Sequence, residues 1–270
     1  MEITSLSSEL IVEIPFLNAG RGQGGYYVDR LPVAKAVVDE LPDELDAIVA
    51  TADLQGRERF EDSPGGSPRL LGEALPQRLS GEILPSLGCD ALKVGVVLAG
   101  DFYTVPALDR RGGSGDVTNV WEAFGREFRW VVGVAGNHDT FGEALHPSRP
   151  TFGNCYYLDE RSVELDGLSI AGLGGIIGNP RRPHRRTEEA YLESLLNVLE
   201  DSTDILAIHD GPSGDRGQRG SPRITQLLNE LCPPLVIRGH AHWETPLTRL
   251  EGGTQVLNVD CRVVVLTRSS

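Results

Sequence analysis

No stretch of the chain reaches the roughly 18 consecutive apolar residues of a membrane-crossing helix, so no transmembrane segment and no membrane partner are expected. Cysteine is scarce. Cys89, Cys155, Cys232 and Cys261 are widely scattered and form no C-x-x-C pair, which argues against a disulfide framework or cysteine-held zinc. Positive charge is also short, with 25 Lys and Arg against 39 Asp and Glu and a formal net charge of −14. Such a balance disfavours broad binding to extended nucleic acid or to anionic membrane. The opening M-E-I-T-S-L-S-S-E-L lacks the basic start and apolar stretch of a signal peptide, so a cytoplasmic location is expected. Repeats and low-complexity tracts are missing as well.

What is present is ordinary for a soluble globular protein: 40% hydrophobic and 24% charged residues over 270 positions, enough for one large α/β domain or two small ones. Short Val/Ile/Leu runs predict strands at 46–53, 94–101, 130–137, 205–210 and 235–240, each ending in a polar residue. Continuous apolar runs of this length suit strands covered on both faces. Helices are predicted between them: Pro68–Leu87, interrupted at Pro76; Val117–Phe128, with Val120, Phe124 and Phe128 on one stripe; Thr187–Glu200; and a helix opened by Ser221-Pro222 that ends before Pro233-Pro234. Hairpin strands are expected at 156–158, 162–165 and 168–173, with Asp166-Gly167 as the turn, and again at 246–250, 255–259 and 263–267. These extra antiparallel strands predict a second sheet.

The first 45 residues read as an N-terminal extension packed on a domain spanning 46–270. Leu10–Leu17 suits a strand and Pro32–Leu41 a helix. The intervening N-A-G-R-G-Q-G-G (Asn18–Gly25) lacks the G-K-[ST] ending of a phosphate-binding loop and is read as a turn.

Four strings carry the chemistry: A-G-D at Asp101, G-N-H-D at Asn137–Asp139, I-H-D-G at His209 and G-H-A-H at His240–His242. Each follows a predicted strand, which is how a fold gathers ligands from distant parts of a chain into one cleft. Carboxylates, an asparagine and imidazoles form a mixed oxygen and nitrogen set suited to Mn²⁺, Fe²⁺, Zn²⁺ or Mg²⁺. His146 and His184 lie outside the strings and are read as non-ligands.

With Asp53 in front of them, these motifs resemble the calcineurin-like metallophosphoesterase superfamily, in which D-x-H, G-D, G-N-H-[DE], a lone histidine and G-H-x-H follow in this order. The match runs from about Asp46 to His242. The resemblance implies an α/β fold, a four-layer sandwich of two mixed β-sheets flanked by helices. It also implies two divalent metal ions, Mn²⁺ being the first choice, and hydrolysis of a phosphomonoester or phosphodiester by an activated hydroxide. By position, Asp101 would bridge both ions. Asp53, Gln55 and His242 would complete one site, Asn137, His209 and His240 the other, and His138 would be the catalytic histidine. In such sites, two cations roughly 3.5–4 Å apart make hydroxide available near neutral pH and neutralise the phosphate, while a nearby histidine gives a proton to the leaving group.

Two departures stand out. Gln55 occupies the motif-one position where the family usually has histidine. An amide oxygen is a weaker, harder ligand, so that site is expected to be the weaker one and to favour Mn²⁺ or Mg²⁺ over Zn²⁺. After Asp101, Phe102-Tyr103-Thr104 replaces the usual carboxylate partner of the catalytic histidine, leaving Tyr103 or Thr104 as candidate partners of His138. On the substrate side, the basic tract Arg181–Arg186 and Arg57 are candidates for gripping phosphate; Arg57, Arg181 and Arg185 are the named substrate residues. A small phosphoester or nucleotide is the expected substrate. The alternative is a catalytically weak or inactive scaffold of the same fold that binds protein. Retention of the histidines in G-N-H-D and G-H-A-H, together with His209, counts against it.

Overall fold

The computed structural model describes residues 1–20, 25–63, 68–110, 112–199 and 202–269. The chain opens with a hairpin, β1 (Ile3–Ala19) and β2 (Tyr26–Val38), followed by β3 (Ala47–Ala52). Helix α1 (Leu71–Arg78) leads to β4 (Val94–Leu98), and α2 (Thr118–Glu127) leads to β5 (Trp130–Gly133). Two hairpins follow, β6 (Thr151–Phe152) with β7 (Cys155–Tyr157), and β8 (Arg161–Leu165) with β9 (Leu168–Leu173). Next come α3 (Glu188–Val198), β10 (Ile205–Ile208), α4 (Pro222–Leu231) and β11 (Leu235–Arg238). The chain closes with β12 (Leu247–Arg249), β13 (Gln255–Asn258) and β14 (Arg262–Arg268).

These strands form two large mixed sheets, ordered β1-β2-β14-β3-β4-β5-β7-β6 and β8-β9-β10-β11-β13-β12. The centre of each is parallel: β3, β4, β5 and β7 in the first, β9, β10, β11 and β13 in the second. Alternation along the strands sorts the core into layers. Ile48, Ala50, Val97 and Val132 meet Ile170, Ile205, Ile237 and Leu257 between the sheets. On the outer side of the first sheet, Val49, Val96 and Val131 pack with Leu71, Leu75, Trp121 and Phe124 of α1 and α2. On the outer side of the second, Leu206, Ile208 and Val236 pack with Tyr191, Leu195, Ile224 and Leu228 of α3 and α4. The result is the four-layer sandwich expected.

Local signals explain most element boundaries. The Thr187 hydroxyl accepts from Ala190 N–H at 3.3 Å to cap α3, and the Ser221 hydroxyl accepts from Ile224 N–H at 3.3 Å to cap α4, ahead of Pro222. Cys232, at φ 52°, ends α4 in a left-handed residue before Pro233. In the β8–β9 turn, Asp166 and Gly167 sit at φ 51° and 81°, the pair of positive values a two-residue hairpin of type I′ needs.

Two expectations are corrected. Pro32–Leu41 is not a helix: residues through Val38 belong to β2, paired with β1 and with β14. Leu31 and Val33 are buried on one side of the sheet and Ala36 and Val38 on the other, so pairing on both edges and cover on both faces override the helix-forming A-K-A. Position 45/46 thus falls between strands of one sheet. Nor does Pro76 interrupt its helix. The chain stays helical through it, widens to a π turn over Leu79–Ile83, and continues over Leu84–Ser86. The Gly-rich turn at Asn18–Gly25 is described only at its ends, with 21–24 outside the described residues; there Gly20 N–H donates to Gly25 C=O at 2.6 Å. Among the described residues, no helix is long and apolar enough to cross a membrane.

Trp121 is fully buried against the rings of Phe141, Phe152 and Tyr157. Trp121→Ala is expected to cost about 3–5 kcal/mol in urea unfolding, the usual cost of emptying such a site; a loss below about 1 kcal/mol would contradict the packing described.

Candidate metal centre

Asp53 follows β3, Asp101 follows β4 and Asn137 follows β5; His209 follows β10 and His240 follows β11. All five therefore leave the carboxyl ends of parallel strands, three from one sheet and two from the other, where open α/β sheets form their crevices. Three of these turns are strained: Asp53, Asp101 and His240 have φ of 55°, 60° and 67°. The space is tight. A side chain at Gly100 would meet the Gly136 backbone and the His209 ring, and one at Gly239 would meet the Asp53 carboxylate.

Asp101 is the hub. Its Oδ1 accepts from His138 N–H at 2.9 Å, its Oδ2 accepts from Gln55 Nε2 at 3.1 Å, and His209 Nε2 lies 3.4 Å from Oδ2 in ion-pair contact. Burial works against its charge, yet His209 and His138 outweigh burial and hold its pKa at about 2. The backbone of this turn is held by Asp139. One carboxylate oxygen accepts from the N–H groups of Asp101 (2.8 Å) and Gly136 (2.9 Å), the other from Phe102 (2.8 Å). Burial, and the Asp101 charge beside it, push Asp139 up to about 6 against the pull of the Gly136 and Phe102 amides.

Ligand-type atoms of Asp101, His209 and His240 all lie within 4.8 Å of one another. His209 Nδ1 contacts the Ala99 carbonyl at 2.7 Å, which assigns its proton there and turns Nε2 toward Asp101. Asn137 Oδ1, His209 Nε2 and His138 Nδ1 are buried without a hydrogen-bond partner. Buried polar atoms rarely go unsatisfied. Oxygen and imidazole donors left open beside an ionised carboxylate fit a divalent cation. Burial, then the neighbouring His209, lower His240 to about 4, so this imidazole is neutral and its lone pair available at neutral pH.

The other expected half-site is looser. Asp53 Oδ2 accepts from His240 N–H at 2.8 Å, and burial together with the Asp260 charge pushes Asp53 well above the usual carboxylate range. Gln55 reaches Asp101 through its amide nitrogen. His242 does not join the tight cluster; its Nδ1 lies 3.6 Å from Asp260 Oδ1. His138 Nδ1 is buried without a hydrogen-bond partner, and the Tyr103 ring packs where a side chain on Gly115 would sit. His146 and His184 meet edge to face with centroids 5.1 Å apart, and neither is among the three clustered residues.

Of the substrate residues, Arg57 faces neighbouring loops. Its guanidinium donates to the carbonyls of Pro68 (2.7 Å), Thr104 (3.0 Å) and Val105 (3.4 Å), so it staples loops together. Arg186 is likewise bound to Asp159 and Glu160. Arg181 and Arg182 are exposed and Arg185 half-buried.

Three contributors escaped the reading of the sequence. Asp139 stood in the G-N-H-D string, which was the available signal. Arg238, fully buried beneath the G-H-A-H turn, donates to the carbonyls of Arg219 (2.9 Å) and Pro212 (3.2 Å) and lies 5.3 Å from the Trp243 ring. Asp260 carried no motif at all.

Residues 47–244 match the family described as calcineurin-like phosphoesterase, and the chain belongs to that family. Its members are metal-dependent phosphoesterases, and the Asp101–His209–His240 cluster is a possible metal-ligand group of this chain. Among solved structures, TT1561 of Thermus thermophilus is similar at 17% identity and TM-score 0.50, over 80% of this chain and 90% of that one, a likeness of fold. GAP50, the anchor in the inner membrane complex of Plasmodium, matches at 14% identity and TM-score 0.43, over 79% and 71% of the two chains. The 5'-nucleotidase from Candida albicans matches at 14% identity and TM-score 0.39, over 82% of this chain and 46% of that one. No curated protein matches the chain.

The site carries a pH signature. Burial opposes charge on His209, but Asp101 overcomes it and raises the imidazole from 6.5 to about 10. A folded-state pKa raised in this way stabilises fully below about 6.5 and loses its contribution as pH climbs toward 10. In chelator, the melting temperature is expected to fall over that window. Divalent metal must displace the proton, so uptake should release protons, and more tightly at higher pH, as read by calorimetry in buffers of different ionisation enthalpy. Uptake with no proton release and a flat pH profile would contradict this assignment.

Proposed function

We propose that the chain is a dinuclear, metal-dependent phosphoric ester hydrolase acting on a small phosphomonoester or phosphodiester, nucleotides included. The observation that carries this reading is the convergence of the buried Asp101 and His209 with the exposed His240 and the unsatisfied Asn137 Oδ1 in one crevice. Asp101 would be shared between two cations, with Asn137, His209 and His240 on one side and Asp53, Gln55 and His242 on the other. Mn²⁺ is the first choice for an oxygen-rich set, and Fe²⁺, Zn²⁺ or Mg²⁺ are compatible. When bound, such a pair supplies a hydroxide near neutral pH and offsets the charge on the phosphate.

The chain's own residues do the rest. Asp101 Oδ1 fixes the His138 backbone, and His138 gives its proton to the departing alkoxide. Its Nδ1 is buried without a hydrogen-bond partner, so the ring is held through its backbone. A cleft of about 340 Å³ beside His240, lined by Ile177, Glu188, Asp210 and Ser221, is of a size for a small leaving group. Ile177 of this lining pairs with Arg186, next to Arg185, which supports assigning Arg181 and Arg185 of the same tract to the phosphate. The acidic surface ranks extended nucleic acid low, and a cytoplasmic setting is consistent with the free thiols.

The test is turnover of mono- and bis-p-nitrophenyl phosphate with Mn²⁺. We expect metal-dependent hydrolysis that falls at least about 100-fold in Asp101→Asn and His240→Ala, since several kcal/mol of charge stabilisation goes with the cations. Arg181→Ala with Arg185→Ala should raise KM while leaving kcat near wild type. No turnover with any divalent cation would favour the inactive protein-binding scaffold instead.

A further inference from the structure

The half-site assigned to Asp53, Gln55 and His242 is short of a donor, because Gln55 stands where the family has an imidazole and its amide nitrogen is turned to Asp101 at 3.1 Å. His242 is its exposed member, with 62% of its side chain accessible. Among the described residues its one ion-pair contact is Asp260, whose carboxylate is only 14% exposed.

The Asp260 segment is built around the His242 turn. Asn258, fully buried, donates from Nδ2 to the carbonyl of Ala241 at 2.7 Å and accepts from Asp260 N–H at 3.2 Å. Arg262 donates from Nη2 to the carbonyl of Trp243 at 2.6 Å and from Nε to the carbonyl of Asp260 at 3.3 Å. Both neighbours of His242 are therefore clasped to the residues two positions before and two positions after Asp260. On its other side, Cys261 N–H donates to Ala52 C=O at 3.1 Å, which sets Asp260 beside the β3 end that carries Asp53. After burial itself, the Asp260 charge bears hardest on Asp53.

We propose that Asp260 is the positioning residue of this half-site: it faces His242 from the Nδ1 side at 3.6 Å, leaves Nε2 free for a cation shared with Asp53, and adds negative charge beside a site that Gln55 leaves short of an imidazole. The proposal rests on the metal-dependent reading above. A carboxylate behind a ligating imidazole fixes its tautomer and raises its basicity, and losing such a partner typically weakens metal binding by about 10–100-fold.

Calorimetric titration of the chelated full chain with Mn²⁺ tests it. Wild type is expected to take up two ions. Asp260→Ala should weaken the second by at least about 10-fold and leave the first unchanged. Asp260→Asn keeps the fold and an acceptor for Nδ1–H, and should fall between the two. His242→Ala with Asp260→Ala should bind no more weakly than His242→Ala alone, because Asp260 acts through His242. In the Zn²⁺-loaded protein, the ¹⁵N shifts of His242 should report a protonated Nδ1 in wild type and a mixture of tautomers in Asp260→Ala. If wild type binds two ions and both Asp260 variants titrate like it, the inference is overturned and the metal-dependent reading stands. If wild type binds none, the metal-dependent reading fails, and this inference with it.

Discussion

A buried carboxylate, Asp139, takes three backbone N–H groups from the turns after β4 and β5, and the rest of the crevice depends on that arrangement. It locks Asp101 in a left-handed conformation and brings Gly136 against it, so closely that a side chain at Gly136 would meet the Asp101 carboxylate. Asp101 Oδ1 in turn holds the His138 amide, leaving Oδ2 for Gln55 and His209. One acid shapes the backbone and the next faces the chemistry. Buried without partners, either would cost several kcal/mol, so the geometry exists only while the amides and histidines are in place.

The two-sheet architecture supplies what one sheet cannot. Asp53, Asp101 and Asn137 come from adjacent parallel strands of the first sheet, and His209 and His240 from adjacent strands of the second. The aliphatic layer between the sheets sets their spacing, and the positive φ values at Asp53, Asp101 and His240 turn each chain sharply out of its strand. Such strain persists only where surrounding structure determines it, which the packed layers on both sides do. The cluster is thus a consequence of rigid strands, buried at Asp101 and His209 and open at His240, with His242 carried beyond it on an exposed turn.

Much of this was legible in the sequence because the relevant signals are local. Apolar runs marked the central strands, Thr187 and Ser221 marked helix starts, Asp166-Gly167 marked a turn, and four short strings marked the donors in order. What was not legible depends on partners far along the chain. β2 looks helical by composition and becomes a strand because β1 and β14 pair with it. Arg57 looks like a phosphate ligand and is taken up by carbonyls near positions 68 and 105. Asp260 has no local signature, since its meaning comes from Ala52, Ala241 and Trp243 around it. Propensity and motif speak to a few neighbours; contacts of this range are settled by packing.

The central proposal is that Asp101 would be shared by two unequal cation sites, a tighter one with Asn137, His209 and His240 and a looser one that includes the exposed His242. The most direct measurement is anomalous diffraction at the manganese edge from crystals soaked at graded Mn²⁺ concentrations. The account predicts two peaks flanking Asp101, the one beside Asn137, His209 and His240 filling first and the one beside Asp53 and His242 filling only at higher concentration. A single peak at saturation, two peaks filling together, or density away from Asp101 would contradict it.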